Sequence, residues 1–455
     1  MTVNPSSTPQ PRPGNSPSLA EARSESVFAD AKPAMTLHEA IAEANRCLYC
    51  VEAPCIKACP TSIDIPSFIR KIATGNLQGS ARTIFASNIL GHSCARVCPV
   101  EELCAGDCVY NPLHEPPIAI GRLQRVATDA ALAAGWQFFS AGAPTGFSVG
   151  LVGAGPASLA CAHVLRRYGH AVKLYEKRGI AGGLNTWGVA PYKLRADEAL
   201  RELDWLMAIG GIDVEYGVEI GRDVDFAGLE ARHDALFVGC GLGADGALDV
   251  PGAQLPGVHG AVEFIERMKL GQVSLAGVRR AVVVGGGNTA VDALRELVGL
   301  GVPEVTLLYR GLEPGMSAYA HEWRGAKVDG ARARFAVQPR RYLGETHVEA
   351  IEVDRLGPDK RPTGAPPERV EADLVLLAIG QEKLTRMLAG LPGIQLEHGR
   401  VVTDADGRTG RSGYFAGGDC RNGGKEVVNA AAEGQAAAHA IHASFAGQSP
   451  KEKSS

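Results

Sequence analysis

The chain has 455 residues, 45% of them hydrophobic and 21% charged, with a formal net charge of -4, the balance of a soluble globular protein of roughly two to four domains. That charge gives no sign of a nucleic-acid partner, and no stretch approaches the ~18–20 consecutive apolar residues of a membrane span. The 56 glycines concentrate in turns after apolar runs, as nucleotide-binding α/β domains require.

Residues 1–34 are rich in Pro, Ser and Ala and lack the apolar core of a secretory signal, which predicts a disordered tail on a cytoplasmic protein. Cytoplasmic thiols stay reduced, so clustered cysteines there point to metal rather than to disulfides.

Residues 35–146 read as helical. In "DIPSFIRKIATGNLQGSARTIFASN", Ile65, Phe68, Ile69 and Ile72 recur at three- and four-residue spacing. Eight of the 11 cysteines fall in this segment, as Cys47-x2-Cys50-x4-Cys55-x3-Cys59-Pro, Cys94-x3-Cys98-Pro and Cys104-x3-Cys108. Thiolates suit soft metals. Paired knuckles or histidines, expected of structural zinc, are missing, whereas a dense run closing on Cys-Pro is the ferredoxin pattern in which the fourth cysteine serves another cluster. Eight ligands would serve two [4Fe-4S] clusters.

This cysteine pattern, with "NILGHSCARVCPVEELCAGDCV" and "PIAIGRLQRVATD" after it, resembles the N-terminal module of dihydropyrimidine dehydrogenases, and the likeness extends over nearly the whole chain to the electron-input subunit of the bacterial NAD-dependent enzymes. The resemblance implies one cluster on Cys47, Cys50, Cys55 and Cys108. It implies a second on Cys59, Cys98, Cys104 and, in place of a thiolate, Gln124, with Cys94 a bystander. A neutral oxygen ligand should shift that cluster's potential.

From Phe147 the pattern becomes strand, glycine turn, helix, strand, predicting a first FAD-binding segment over 147–275. "VGLVGAGPASLA" sets Gly153 and Gly155 to let backbone approach a pyrophosphate, with Pro156, Ala157 and Ser158 opening a helix whose free N–H groups face it. Glu176 ends the next strand, placed for a ribose hydroxyl. No redox cysteine pair follows, and Cys161 and Cys240 stand alone, which reads as core. The flavin's electrons must then go elsewhere, and the clusters are the obvious recipient. The resemblance adds Gly183, Leu184 and Lys193 to the FAD lining.

Residues 276–372 predict an inserted NAD(P)H domain. "VVVGGGNTAVD" supplies Gly285, Gly286, Gly287, Asn288 and Thr289, and "DLVLLAIG" ends in Ala378, Ile379 and Gly380. Arg310 follows the strand "VTLLY", where a base suits NADP(H). Gly311 stands where NADP-using relatives carry a second base, so NAD(H) is favoured. Residues 373–447 predict the second FAD segment, with Gly418 and Asp419 in "YFAGGDC" and a helix from near Glu426 pointing its positive end at the flavin. Residues 448–455 read as a second disordered tail.

The expected architecture is therefore α/β, an all-α iron–sulfur module followed by two dinucleotide-binding Rossmann-type domains, the second inserted in the first. The resemblance implies that NADH reduces FAD, that electrons cross two clusters, and that a partner subunit bearing FMN and its own iron–sulfur clusters reduces uracil or thymine reversibly in a heterotetramer-like assembly. No residue for the pyrimidine chemistry itself is expected here. The alternatives are the small subunit of NADPH-dependent glutamate synthase, which shares this architecture, and a general electron-transfer flavoprotein feeding ferredoxin-type acceptors.

Overall fold

The computed structural model describes residues 23–451. Among them no strand precedes Ser148. Thr36 caps the helix Leu37–Ala44 through a capping box with Glu39. The helix Ile65–Ala73 starts on the Asp64 carboxylate and buries Ile65, Phe68, Ile69 and Ile72, the face its spacing predicts. Leu77–Ser87, Gly91–Val97 and Ile120–Ala134 complete the bundle, the last stopping at Gly135 in the left-handed region (φ 65).

Two five-stranded parallel sheets follow. The first runs Tyr414–Ala416, Ala235–Val238, Ser148–Val152, Ala171–Glu176, Ile212–Tyr216. The chain leaves this sheet after Val238 and returns at Tyr414, and the second sheet is formed between them, with Leu388 and Val401 packing back on the first. The second runs Val258–Gly260, Leu374–Ala378, Arg280–Gly285, Glu304–Tyr309, Arg332–Phe335. Both central glycine turns lie at the carboxyl ends of their sheets, where parallel α/β folds bind ligands. A three-stranded antiparallel sheet of Val337–Leu343, Ala350–Arg355 and Glu368–Glu371 covers part of the second sheet, and the sequence reading did not anticipate it.

Two expected boundaries are corrected. The strand Leu374–Ala378 does not open the second FAD segment at 373, because it pairs with Arg280–Gly285 in the other sheet. The strand Val258–Gly260 likewise joins that sheet through Val375 and Leu376, so the first FAD segment ends before it rather than at 275.

The tails are corrected where they are described. Residues 23–34 form an ordered strap. Glu25 is fully buried and accepts the Ala196 N–H at the start of the helix Ala196–Met207. Phe28 packs against Gly299, Ala31 N–H bonds the Tyr192 carbonyl at 2.7 Å, and Asp30 pairs with Arg125 at 2.7 Å. At the other end Lys451 bonds Asp234, Glu230 and His233. These anchors are ionic and capping contacts to distant residues, which composition does not reveal. Residues 1–22 and 452–455 lie outside the described residues.

Candidate functional site

Cys47, Cys50, Cys55 and Cys108 line one small cavity, roofed by Ile65, Ile69, Ile118 and Ile120. The first three are half-buried and the fourth buried, so this outer cavity lies near the surface. Burial pushes the Cys55 thiol up to about 12 and the Cys47 thiol upward as well. Thiols so placed stay protonated until a cation compensates the charge.

Cys59, Cys98, Cys104 and Gln124 line a second, inner cavity and are all buried. Gln124 Nε2 donates to the Gly91 carbonyl at 2.7 Å, which leaves Oε1 as the atom free to serve the cavity. Cys94, expected as a bystander, also lines the cavity, and its neighbouring thiol, together with burial, raises that of Cys98. Asn88, fully buried on the same wall, has no partner for its Nδ2. Among the described residues no three His, Cys, Asp or Glu side chains converge on a lone metal ion. Both cavities are thiol-lined, and the inner one adds an oxygen and an unpaired N–H, a donor set that fits a sulfide-bearing cage.

A cleft of about 350 Å³ opens between the two sheets. Gly153, Gly155, Pro156, Ala157, Glu176, Gly183, Leu184, Lys193, Gly418 and Asp419 all line it. Gly153 has φ 87, and a Cβ there would stand 2.7 Å from the Gly239 carbonyl oxygen. Glu176 accepts the N–H groups of Ala154 and Arg178, both at 2.9 Å, which pins the turn and leaves a second lone pair on each oxygen for ribose hydroxyls. Ser158 does not reach the cleft. It is fully buried with its Oγ facing Gly239, because the third position of this motif packs helix on strand.

The long helix Val427–Ser444 also reaches the cleft. Gly434 allows this, since a Cβ there would meet the Ala157 carbonyl oxygen at 2.0 Å. Glu426 caps the helix and accepts the Tyr319 hydroxyl at 2.7 Å. Lys193 Nζ pairs with Asp292 at 2.8 Å and Glu322 at 2.6 Å. Burial opposes the Lys193 charge, but the two carboxylates outweigh it and hold its pKa above the usual range. Burial, with Glu433 and Glu426 adding to it, raises Asp419 to about 6. Asn185 Oδ1 and Glu322 Oε2 are buried on the cleft wall without partners, acceptors awaiting a ligand's hydroxyl or N–H groups.

Of the expected NAD(P)H residues, Asn288 and Thr289 line the cleft. Gly285, Gly286 and Gly287 precede them, and Gly285 pairs in register with Ala378, beside Ile379 and Gly380. Arg310 is exposed at the end of its strand and lies off the cleft. Asp292, Glu322, Tyr319 and Glu426 were missed; Asp292 had a signal, an acid one turn into the helix that follows the second glycine turn. Cys240 is corrected: it is not core but partly buried and lines the cleft, near Cys420, whose thiol donates to the Val238 and Gly417 carbonyls. Cys161 is fully buried.

The sites adjoin. Val97 and Pro99, which flank Cys98, line the cleft, and Val428 lines the inner cavity. Glu202, fully buried, accepts His92 N–H at 2.7 Å and Ser93 N–H at 3.1 Å, together with the Ser93 hydroxyl, and so locks the Gly91–Val97 helix onto Ala196–Met207.

Residues 23–136 match the family described as dihydropyrimidine dehydrogenase domain II, 4Fe-4S cluster, and residues 147–434 match pyridine nucleotide-disulphide oxidoreductase. The glutamate synthase (NADPH) small chain of Halomonas elongata is 36% identical over 428 residues, 89% of this chain and 90% of that one. The PreT subunit of NAD-dependent dihydropyrimidine dehydrogenase of Salmonella typhimurium is 32% identical over 410 residues, 90% of this chain and 95% of its own. The fold is shared with thioredoxin reductase of T. acidophilum, at a TM-score of 0.52 and 21% identity over 66% of this chain and 99% of that one. Mycobacterium tuberculosis FprA in complex with NADPH superposes at a TM-score of 0.54 and 20% identity, over 67% of this chain and 85% of that one. No helix among the described residues is long and apolar enough to cross a membrane. The chain thus belongs to the pyridine nucleotide-disulphide oxidoreductase family, as an electron-transferring oxidoreductase whose N-terminal module is of the 4Fe-4S type.

Proposed function

We propose that this chain is the electron-input subunit of an NAD-dependent dihydropyrimidine dehydrogenase, which draws on NADH and feeds an FMN-bearing catalytic partner that reduces uracil or thymine. The observation that carries the reading is the wall shared by the nucleotide cleft and the inner cysteine cavity, where Val97, Pro99 and Val427 face one side and Cys98 and Val428 the other.

Cys47, Cys50, Cys55 and Cys108 would hold one [4Fe-4S] cluster, and Cys59, Cys98, Cys104 and Gln124 a second. FAD would occupy the cleft, with its pyrophosphate at Gly153–Ala157, a ribose at Glu176 and its ribityl chain at Asp419. Bound there, FAD converts two-electron hydride chemistry into single electrons that clusters carry. The residues' part is to bind and orient. Lys193, held by Asp292 and Glu322 of the second nucleotide domain, fixes that domain over the cleft. The N-terminus of Val427–Ser444 brings its positive end to the same place. The turn Gly285–Thr289 would seat the coenzyme's pyrophosphate, with Ala378–Gly380 beside it. Arg310, followed by Gly311, offers a single exposed base where a 2′-phosphate would need more, which supports NAD. No residue of this chain is assigned to the pyrimidine step.

Gln124 supports the pyrimidine reading: it lines the inner cavity with its Nε2 held by the Gly91 carbonyl, so that its Oε1 would be the ligand atom. A second reading, the small subunit of a glutamate synthase, is favoured by the identity and cover of the Halomonas relative. Purification with the native partner separates the two. Uracil-dependent NADH oxidation by the pair, and none by the chain alone, is the expected result. A very large glutamine-using partner with no response to uracil would overturn the proposal in favour of the second reading.

A further inference from the structure

Two polar groups that neither reading employs stand at the inner cavity, one on its wall and one on the backbone of a wall residue. Asn88 is fully buried on its wall. Its Oδ1 accepts the Leu90 N–H at 3.0 Å, while Nδ2 has no partner. An unpaired buried amide costs about 1–3 kcal/mol, so a native structure keeps one where something will accept from it. Lys32 Nζ donates to the Cys98 carbonyl oxygen, which brings an ammonium charge near that residue's thiol. The strap holds it there: Arg125 donates to the Lys32 carbonyl at 2.6 Å and Arg122 to the Pro33 carbonyl at 3.0 Å.

The outer cavity has a cation near it too, the Arg46 guanidinium beside Cys108, but among the described residues no unpaired buried amide lines it. Its walls are Leu48, Ile65, Ile69, Ile118 and Ile120, and the Tyr110 hydroxyl is directed to the Arg46 carbonyl at 2.6 Å.

We propose that Asn88 and Lys32 set the reduction potential of the inner cluster above that of the outer one, Asn88 by donating its N–H to a cluster or thiolate sulfur and Lys32 by its charge. The inference rests on the two-cluster reading above. Reduction adds one electron, supplied ultimately by NADH, and hence one negative charge to the cluster. A hydrogen bond to sulfur and a nearby cation both stabilise the reduced form more than the oxidised one. Neutral Gln124 in place of a thiolate acts in the same direction. The cluster beside the cleft then fills first and holds its electron until the partner draws it outward.

The test is a redox titration of the full-length holoenzyme followed by electron paramagnetic resonance, with the outer cluster identified as the signal that Cys50→Ser removes. Lys32→Met and Asn88→Leu should each lower the inner cluster's potential, shifting its reduced-to-oxidised ratio at fixed poise about tenfold, ~59 mV for one electron. The outer signal should not move, and Lys32→Arg should keep the wild-type value. A proton coupling on the reduced inner cluster that exchanges in D2O should vanish in Asn88→Leu. Equal shifts of both clusters, no shift, loss of the inner cluster in both variants, or an inner cluster that titrates below the outer in the wild type would overturn the inference. Iron and sulfide analysis showing one cluster per wild-type chain would instead defeat the two-cluster reading itself.

Discussion

Val427 and Val428 are consecutive residues that face different chambers: Val427 lines the nucleotide cleft and Val428 the inner cysteine cavity. Only the first turn of one helix separates them. Val428 is 2% exposed, so its volume directly limits the inner cavity. Val428→Phe overfills that space, and such overpacking costs about 1–3 kcal/mol where it must be accommodated. We expect iron and sulfide to fall by about half while flavin content stays near one per chain, measured by metal and flavin analysis of anaerobically purified protein. Equal loss of flavin would show that the two chambers are not separately adjustable.

Glu202 bolts the cysteine module to the nucleotide domain. It accepts from two consecutive backbone N–H groups at the start of Gly91–Val97 and from the Ser93 hydroxyl. Glu202→Ala leaves these donors buried and unpaired, a cost of about 3 kcal/mol. The expected outcome is a lower urea midpoint, with Glu202→Gln falling between the variant and the wild type because it keeps one acceptor oxygen.

Gly153 occupies the left-handed region at φ 87 with no room for a methyl group beside the Gly239 carbonyl. Gly153→Ala adds both backbone strain and a clash at the turn that approaches a pyrophosphate. FAD affinity should drop at least about tenfold, ~1.4 kcal/mol, as read by flavin fluorescence on reconstitution, while the iron content is retained. Unchanged affinity would remove Gly153 from the binding turn.

Asp419 gives a pH signature with opposite signs in two measurements. Burial, then Glu433 and Glu426, raise its pKa to about 6 from the ordinary 3.8. In the FAD-free chain the folded state therefore takes up a proton here as pH falls, and this group's contribution to stability is present at low pH and lost as pH rises through about 6. A ribityl hydroxyl that donates to the carboxylate needs the ionised form, so FAD affinity should weaken below pH about 6, approaching tenfold per unit. Asp419→Asn should abolish both pH responses. The difference between wild type and variant, by urea titration and by flavin binding from pH 5 to 8, isolates this group from other acids.

The features legible in the sequence are those written over short spans. The Gly153–Ser158 turn, the two cysteine groups and the amphipathic face of Ile65–Ala73 each depend on neighbours within a few residues. Ser158 was misassigned because the spacing alone does not tell which motif positions face a ligand and which face the sheet. The strand Leu374–Ala378 was given to the wrong sheet for a related reason: strands buried on both faces of a parallel sheet are uniformly apolar, so nothing in "DLVLLA" names its neighbour. Contacts across long separations left no mark at all. The Lys32–Cys98 bond, the Cys240–Cys420 pair and the Lys193–Asp292 bridge each join residues that only the completed fold brings together. The order of residues 23–34 was hidden by their Pro- and Ala-rich composition, since anchoring contacts to distant residues suffice to fix a segment whose sequence carries no helical or strand periodicity.

That strap bears on how the molecule matures during translation. Residues 23–34 leave the ribosome before their anchors at Cys98, Tyr192, Ala196 and Gly299, which emerge progressively later. The strap consequently cannot make all of its contacts until the segment around Gly299 has been made and folded. A ribosome stalled before Gly299 should present a nascent chain whose strap is still susceptible to protease.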